Sequence, residues 1–274
     1  IAIWSGIAGG GIALGSIITG FLLEHYSWHS VFIFSGSIGA IGFIFNQWLT
    51  PNSRDEKQTP IDWFGGVLSV IGLLGLVYGI IESPSLGWTD SRILASLGVG
   101  LASIGAFIWW QLRRPFPMLD MKLFRRPAFA VSALSISLVF FALMGVFFSM
   151  SQLFQLIMGY GTLESSFRLL PMMLLMMVTS PFVPSIVKKV GVRWTVTTGL
   201  VLVALGFVTM SQWPDVPAYW QVLGSMLIMM TGMSFTMTPS TNLLMSAVPR
   251  NRAGMGSATN DTTRELGGAL GVAV

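Results

Sequence analysis

Arg125-Arg126-Pro127-Ala128-Phe129-Ala130-Val131-Ser132-Ala133-Leu134-Ser135-Ile136-Ser137-Leu138-Val139-Phe140-Phe141-Ala142-Leu143-Met144-Gly145-Val146-Phe147-Phe148-Ser149-Met150 sets two basic residues directly before an uncharged run that continues to Ile157. A run of this length exceeds the ~20 apolar residues an α-helix needs to cross hydrocarbon. Outward from it in both directions, comparable segments fall at residues 2–22, 31–49, 62–81, 93–112, 166–187, 194–212, 219–247 and 254–274. With 128–157 they make nine candidate spans covering almost the whole chain. An all-α, polytopic transmembrane helix bundle is the expected fold, because helices satisfy their own backbone polar groups in lipid.

The basic residues settle orientation. Assigning the gaps alternately puts Arg54, Lys57, Arg113, Arg114, Lys122, Arg125, Arg126, Lys188, Lys189, Arg193, Arg250 and Arg252 on one side and only Arg92 and Arg168 on the other. The first side is cytoplasmic by the positive-inside rule. Glu24, Glu82, Asp90, Glu164 and Asp215 then lie outside. A composition of 53% hydrophobic and 9% charged residues, with mean hydropathy +0.73, independently points to a membrane protein. The pI near 9.8 fits cytoplasmic loops against anionic lipid, not nucleic-acid binding. Without cysteine the chain has no disulfide, thiolate metal site or thiol nucleophile. The chain opens at Ile1 inside an apolar segment and stops at Val274 in another, as a fragment of a longer protein would.

Two polar connectors divide the spans: residues 50–61, bracketed by prolines, and residues 113–127, basic and proline-rich. The pair of spans between them, joined by Glu82-Ser83-Pro84-Ser85-Leu86-Gly87-Trp88, reads as an inserted hairpin separating two larger bundles. Trp88, Trp109, Trp110, Trp194, Trp213, Tyr219 and Trp220 fall near span ends, where amphipathic rings anchor at the interface.

The first span is dense in glycine, with Gly6, Gly9, Gly10, Gly11, Gly15 and Gly20. Small residues four apart let helix backbones approach closely, so this face is expected to press against another helix. The stretch Gly11-Ile12-Ala13-Leu14-Gly15-Ser16-Ile17-Ile18-Thr19-Gly20, followed by Ser27-Trp28-His29, resembles the antiporter motif of drug:proton antiporters in the major facilitator superfamily. Gly11, Gly15 and Gly20 match; Ser16 replaces the motif's proline and Thr19 the first of its paired glycines. Losing the proline removes its cause of helix bending, and a serine bonded to the preceding turn is a weaker substitute. The segment from Arg252 through Asn260, Asp261, Arg264, Glu265, Gly267, Gly268 and Gly271 is very similar to the start of the penultimate helix in the fourteen-helix branch of these exporters. Gln155-Leu156-Ile157-Met158-Gly159-Tyr160-Gly161 with Leu170-Pro171, and Lys188-Lys189-Val190-Gly191-Val192-Arg193, agree with the same branch.

The resemblance implies a partial major facilitator fold. Residues 1–49 would be the last two helices of the N-terminal bundle, 50–127 cytoplasmic linkers with an inserted two-helix hairpin, and 128–274 five helices of the C-terminal bundle. It further implies a multi-pass cell-membrane protein that exports lipophilic or cationic compounds by proton antiport with alternating access. In it, Gly11, Gly15, Ser16 and Gly20 pack the antiporter-motif helix, and Gly267, Gly268 and Gly271 pack the penultimate one. The proton-carrying carboxylates of such exporters are usually early in the chain, so the coupling residue is expected before Ile1.

Residue chemistry adds to this. Asp261, Arg264 and Glu265 lie within a helix of small residues, one turn apart. Ionisable groups at membrane depth are functional candidates by default; the plainer reading is that the first turns of this span are wet. Asp261 and Glu265 are candidate cavity or coupling groups, while Asn260 and Arg264 belong to the penultimate-helix motif, Arg264 foremost because it matches the family position. Asn242, just beyond Pro239, is a candidate cavity group because the proline frees a carbonyl one turn earlier; an interhelical hydrogen bond is its plainer role. Met226, Met229, Met230, Met233 and Met237, and Met172, Met173, Met176 and Met177, form stripes that suit adaptable ligand surfaces, though such stripes more often pack or face lipid. His25 and His29 have no third ligand nearby, so no metal site is expected. No phosphate-binding glycine loop of the ATPase type occurs. Catalytic residues and cofactors are therefore not expected; protons, a small molecule and the bilayer are the expected partners, and an accessory protein cannot be named. A metabolite or siderophore exporter and a non-transporting scaffold are the alternatives.

Overall fold

The computed structural model describes residues 2–50, 62–249 and 253–273, and side chains from Gly11 onward except Ile12 and Ala13. Arg54, Lys57, Arg250, Arg252 and the connector 51–61 lie outside the described residues, as do the surroundings of Gly6, Gly9 and Gly10. The chain is a helical bundle. In order run α1 (Ala2–His25), α2 (His29–Leu49), α3 (Trp63–Leu86), α4 (Ser91–Arg113), α5 (Pro127–Gln152), α6 (Thr162–Thr179), α7 (Val183–Val190), α8 (Val192–Met210), α9 (Tyr219–Ser246) and α10 (Ala253–Ala273). A π-helical turn, Leu153–Ile157, extends α5, and a 3-10 turn, Ser180–Phe182, joins α6 to α7.

Among the described residues seven segments are long and apolar enough to cross a membrane: α2, α3, α4, α5 with its π turn, α6 through α7, α8 and α9. α10 has the length, 21 residues, but carries Asp261, Arg264 and Glu265. Two expected boundaries shift. α3 continues past residue 81 through Pro84 to Leu86, which shortens the expected 82–88 loop. The Ser83 and Ser85 hydroxyls donate to the Ile80 and Glu82 carbonyls, 2.9 Å each, within this last turn, and Gly87 ends it at φ +89°. The expected 166–187 span starts four residues earlier and breaks at Ser180–Phe182, where Pro181 and Pro184 interrupt the ladder.

Helix starts follow local chemistry. Asp62 caps α3 by accepting from the Gly65 N–H at 3.0 Å, Asp90 caps α4 by accepting from the Arg92 N–H at 2.7 Å, and Pro127 opens α5. Asp62 also joins the ends of the hairpin. Its carboxylate accepts from Trp110 Nε1 (3.0 Å) and Gln111 Nε2 (2.8 Å), and Arg114 Nη2 stands 3.6 Å away. Burial pushes this carboxyl upward, but the Trp110, Gly65 and Gln111 hydrogen bonds and the Arg114 charge outweigh it and hold the group below its ordinary range.

Packing is by close backbone approach, as expected where lipid supplies no hydrophobic drive between helices. α3 lies on α4 where Gly75 faces Gly100, and α8 on α9 where Gly199 faces Gly232 and Gly206 faces Met229. Val139, Ala142, Val146 and Met150 of α5 meet Phe154, Met172 of α6, Val203 of α8 and the α9 methionines in one core. Met226, Met229, Met230 and Met233 are almost wholly buried there, so the α9 stripe is packing. α2 has no buried residue.

Candidate functional site

α10 lies along α5, and three glycines set the distance. A Cβ on Gly267 would collide with the Ser137 carbonyl, and one on Gly271 with the Phe141 carbonyl. One on Gly268 would stand 3.0 Å from Met144 Cγ, and across the seam one on Gly145 would come within 2.6 Å of the Gly271 carbonyl oxygen. The Ser137 hydroxyl donates to the Thr263 carbonyl at 3.0 Å, pinning the register one turn before the glycines. Overpacking at Gly267, Gly271 and Gly145 has nowhere to relax, since the obstructing atoms there are backbone.

One turn toward the start of α10, the same seam turns polar. Asn260 is 7% exposed, and its Oδ1 is buried without a hydrogen-bond partner among the described residues. Its Nδ2 donates weakly to Asp261 Oδ1 at 3.4 Å. Arg264 is half-buried, its guanidinium carbon 5.3 Å above the Phe140 ring, and its buried Nε likewise has no hydrogen-bond partner among the described residues. Asp261 and Glu265 are exposed. The charged trio therefore divides by burial: Asp261 and Glu265 are exposed, while Arg264 is half-buried against Phe140 of α5. A buried acceptor on Asn260 and a buried donor on Arg264, one turn apart, are polar groups that ordinarily find partners.

The other sequence candidates lie elsewhere. Gly20 is tightly packed: a Cβ there would stand 2.9 Å from Ser166 Oγ and 3.0 Å from Leu163 Cα, which brings the end of α1 onto the start of α6. At Gly11 and Gly15 a Cβ would meet nothing within 4 Å among the described residues, so neither takes part in the α1–α6 contact. The helical repeat explains this, since Gly11 lies about 180° and Gly15 about 140° around α1 from Gly20. Ser16 is half-buried, in a helix continuous from Ala2 to His25. Asn242 is exposed on α9, three residues beyond a buried Pro239, and is not part of the α5–α10 seam. His25 ends α1 and His29 starts α2, each stacked on an aromatic neighbour, Phe21 and Trp28.

Two clusters were not singled out from sequence. One is the Asp62–Trp110–Gln111–Arg114 clasp, signalled only by an aspartate immediately before a helix. The other surrounds Arg168, which pairs with Glu164 at 2.7 Å and lies over the rings of Tyr160 and Tyr219, 3.9 and 4.8 Å from their centroids. Its signal was a basic residue four after an acid, on the side that has almost no basic residues.

Comparison with known proteins bears on the whole length. The model of a family described as Major Facilitator Superfamily matches residues 1–272. The chain is 30% identical over 274 residues to the multidrug resistance protein Stp of Mycobacterium tuberculosis, covering 100% of this chain and 51% of Stp. It is 31% identical over 273 residues to the multidrug efflux pump LfrA of Mycolicibacterium smegmatis, covering 100% and 54%. It is 27% identical over 275 residues to the methyl viologen resistance protein SmvA of Salmonella typhimurium, covering 100% and 55%. The chain thus spans about half the length of these relatives.

Proposed function

The chain belongs to the Major Facilitator Superfamily and is a multi-pass membrane protein, and from that premise we propose that the protein exports lipophilic or cationic compounds by proton antiport with alternating access. The observation that carries this reading is the α10 face. Asn260 and Arg264 hold buried polar atoms without partners among the described residues, and Asp261 and Glu265 are exposed, all on a helix seated against apolar α5. Such groups at membrane depth call for a water-lined path or a polar ligand. The relatives Stp, LfrA and SmvA, named for multidrug resistance, multidrug efflux and methyl viologen resistance, support the substrate class.

In this reading residues 1–49 are the last two helices of the N-terminal bundle, 50–127 the linkers with the inserted hairpin, and 128–274 five helices of the C-terminal bundle. The Gly20 contact of α1 on α6 then lies between the two bundles, which rock about a central cavity. Gly267, Gly268 and Gly271 hold α10 against α5, and Arg264 contributes the polar contact. Energy comes from the proton gradient, and no catalytic chemistry is assigned to the chain.

The test uses the full-length protein in inverted vesicles under an imposed proton gradient. Ethidium should release protons, and Arg264→Ala should abolish that release while leaving the protein inserted. No response to ethidium or any other lipophilic cation would sink the drug-export reading and move the search to anionic metabolites or a non-transport role.

A further inference from the structure

We propose that the outer end of the bundle carries a binding site for organic cations, in which the Arg168 guanidinium sits as the chain's own tethered occupant; the substrate class rests on the export reading above. An open cleft of about 480 Å³ is lined by Glu24 from the end of α1, Leu163, Glu164, Phe167 and Arg168 from α6, and Tyr219 from the start of α9. Within it the guanidinium makes the contacts an organic cation would make. Nη2 and Nε donate to one Glu164 oxygen at 2.7 and 3.0 Å, and the group's plane of charge rests against the faces of Tyr160 and Tyr219. The Tyr219 hydroxyl donates to the Arg168 carbonyl at 2.9 Å, which fixes that ring in place. Aromatic faces with a carboxylate are the recognised means of holding quaternary and delocalised cations. A guanidinium, planar and weakly hydrated, is the side chain nearest to them in kind.

Two further features favour a mobile cation here over a simple staple between α6 and α9. Glu24 is exposed, comes from a different helix and adds a second carboxylate to the lining of the cleft. Phe167 and Leu163 supply apolar wall for the lipophilic part of a ligand, Phe167 being 53% exposed. The surrounding face reinforces the sign: Glu24, Glu82, Asp90, Glu164 and Asp215 fall on the outer side, against Arg92 and Arg168. Such an excess concentrates cations at a cleft.

The site is tested by titrating the purified full-length protein in detergent with ethidium, without a gradient, and following fluorescence anisotropy. Arg168→Gln removes the competing occupant and should tighten binding about two- to fivefold, the scale of one cation–π competitor. Glu24→Gln should weaken it by about twofold or more. Unchanged binding in E24Q, or unchanged or weaker binding in a folded R168Q, overturns the proposal and leaves Arg168 as a staple. Should R168Q fail to fold, E24Q decides alone, because its side chain is exposed and its loss does not threaten the fold. The same wild-type protein, run in the proton-release assay, separates the two readings: shifts in binding without export sink the export function and keep the site, and export without shifts does the reverse.

Discussion

At the scale of single residues, backbone proximity and charge make opposite kinds of demand. Gly271 has the Phe141 carbonyl where a Cβ would be, so Gly271→Leu is expected to destabilise the protein by about 1–3 kcal/mol, read as a lower melting temperature in detergent. An equivalent substitution at Gly15, where a Cβ would meet nothing within 4 Å among the described residues, should leave the melt unchanged. Asp62 is 6% exposed and accepts three hydrogen bonds. Asp62→Asn turns an amide N–H toward those donors, at a cost of about 1–3 kcal/mol. The sign of its pH dependence follows from the lowered pKa. Its contribution is fully present above the ordinary carboxylate value of 3.8 and is lost as pH falls below that through the folded-state value. A pH–stability series should therefore show wild type converging on D62N only below about pH 4.

At the scale of elements, pairing is decided by shape. α3 with α4, α8 with α9 and α5 with α10 are the intimate pairs, and each has glycine where two backbones meet. Glycine content alone did not reveal this. The densest glycine run, in α1, yields one tight contact among its described positions, Gly20, whereas Gly75, Gly100, Gly199 and Gly232 were unremarked in sequence yet set two seams. The physical reason is that a glycine allows close approach without demanding it; the partner's surface decides. α10 combines both roles, tight through Gly267 and Gly271 and polar at Arg264 one turn and Asn260 two turns earlier, so the candidate site is positioned by the same seam that holds the helix.

At the scale of the whole molecule, orientation is open to direct measurement because the chain has no cysteine of its own. A single cysteine at the exposed Ser85, near the α3–α4 turn, should react with an impermeant maleimide on intact cells. One at the exposed Phe116, in the basic connector, should react only after permeabilisation; the reverse pattern would invert the assignment. This much was legible in the residues: an all-helical, polytopic chain and the approximate limits of most of its helices, seven segments of which, among the described residues, are long and apolar enough to cross a membrane. Hydropathy and charge report these because water and hydrocarbon differ so sharply as solvents. The tertiary structure alone decided which helices touch, that Gly20 and not Gly11 or Gly15 meets α6, that Arg264 parts from Asp261 and Glu265, and that Asp62 and Gln111, 49 residues apart, close the hairpin. Lipid is as apolar as a leucine side chain, so a packed face and a lipid face have the same composition, and only the fit of surfaces in three dimensions tells them apart.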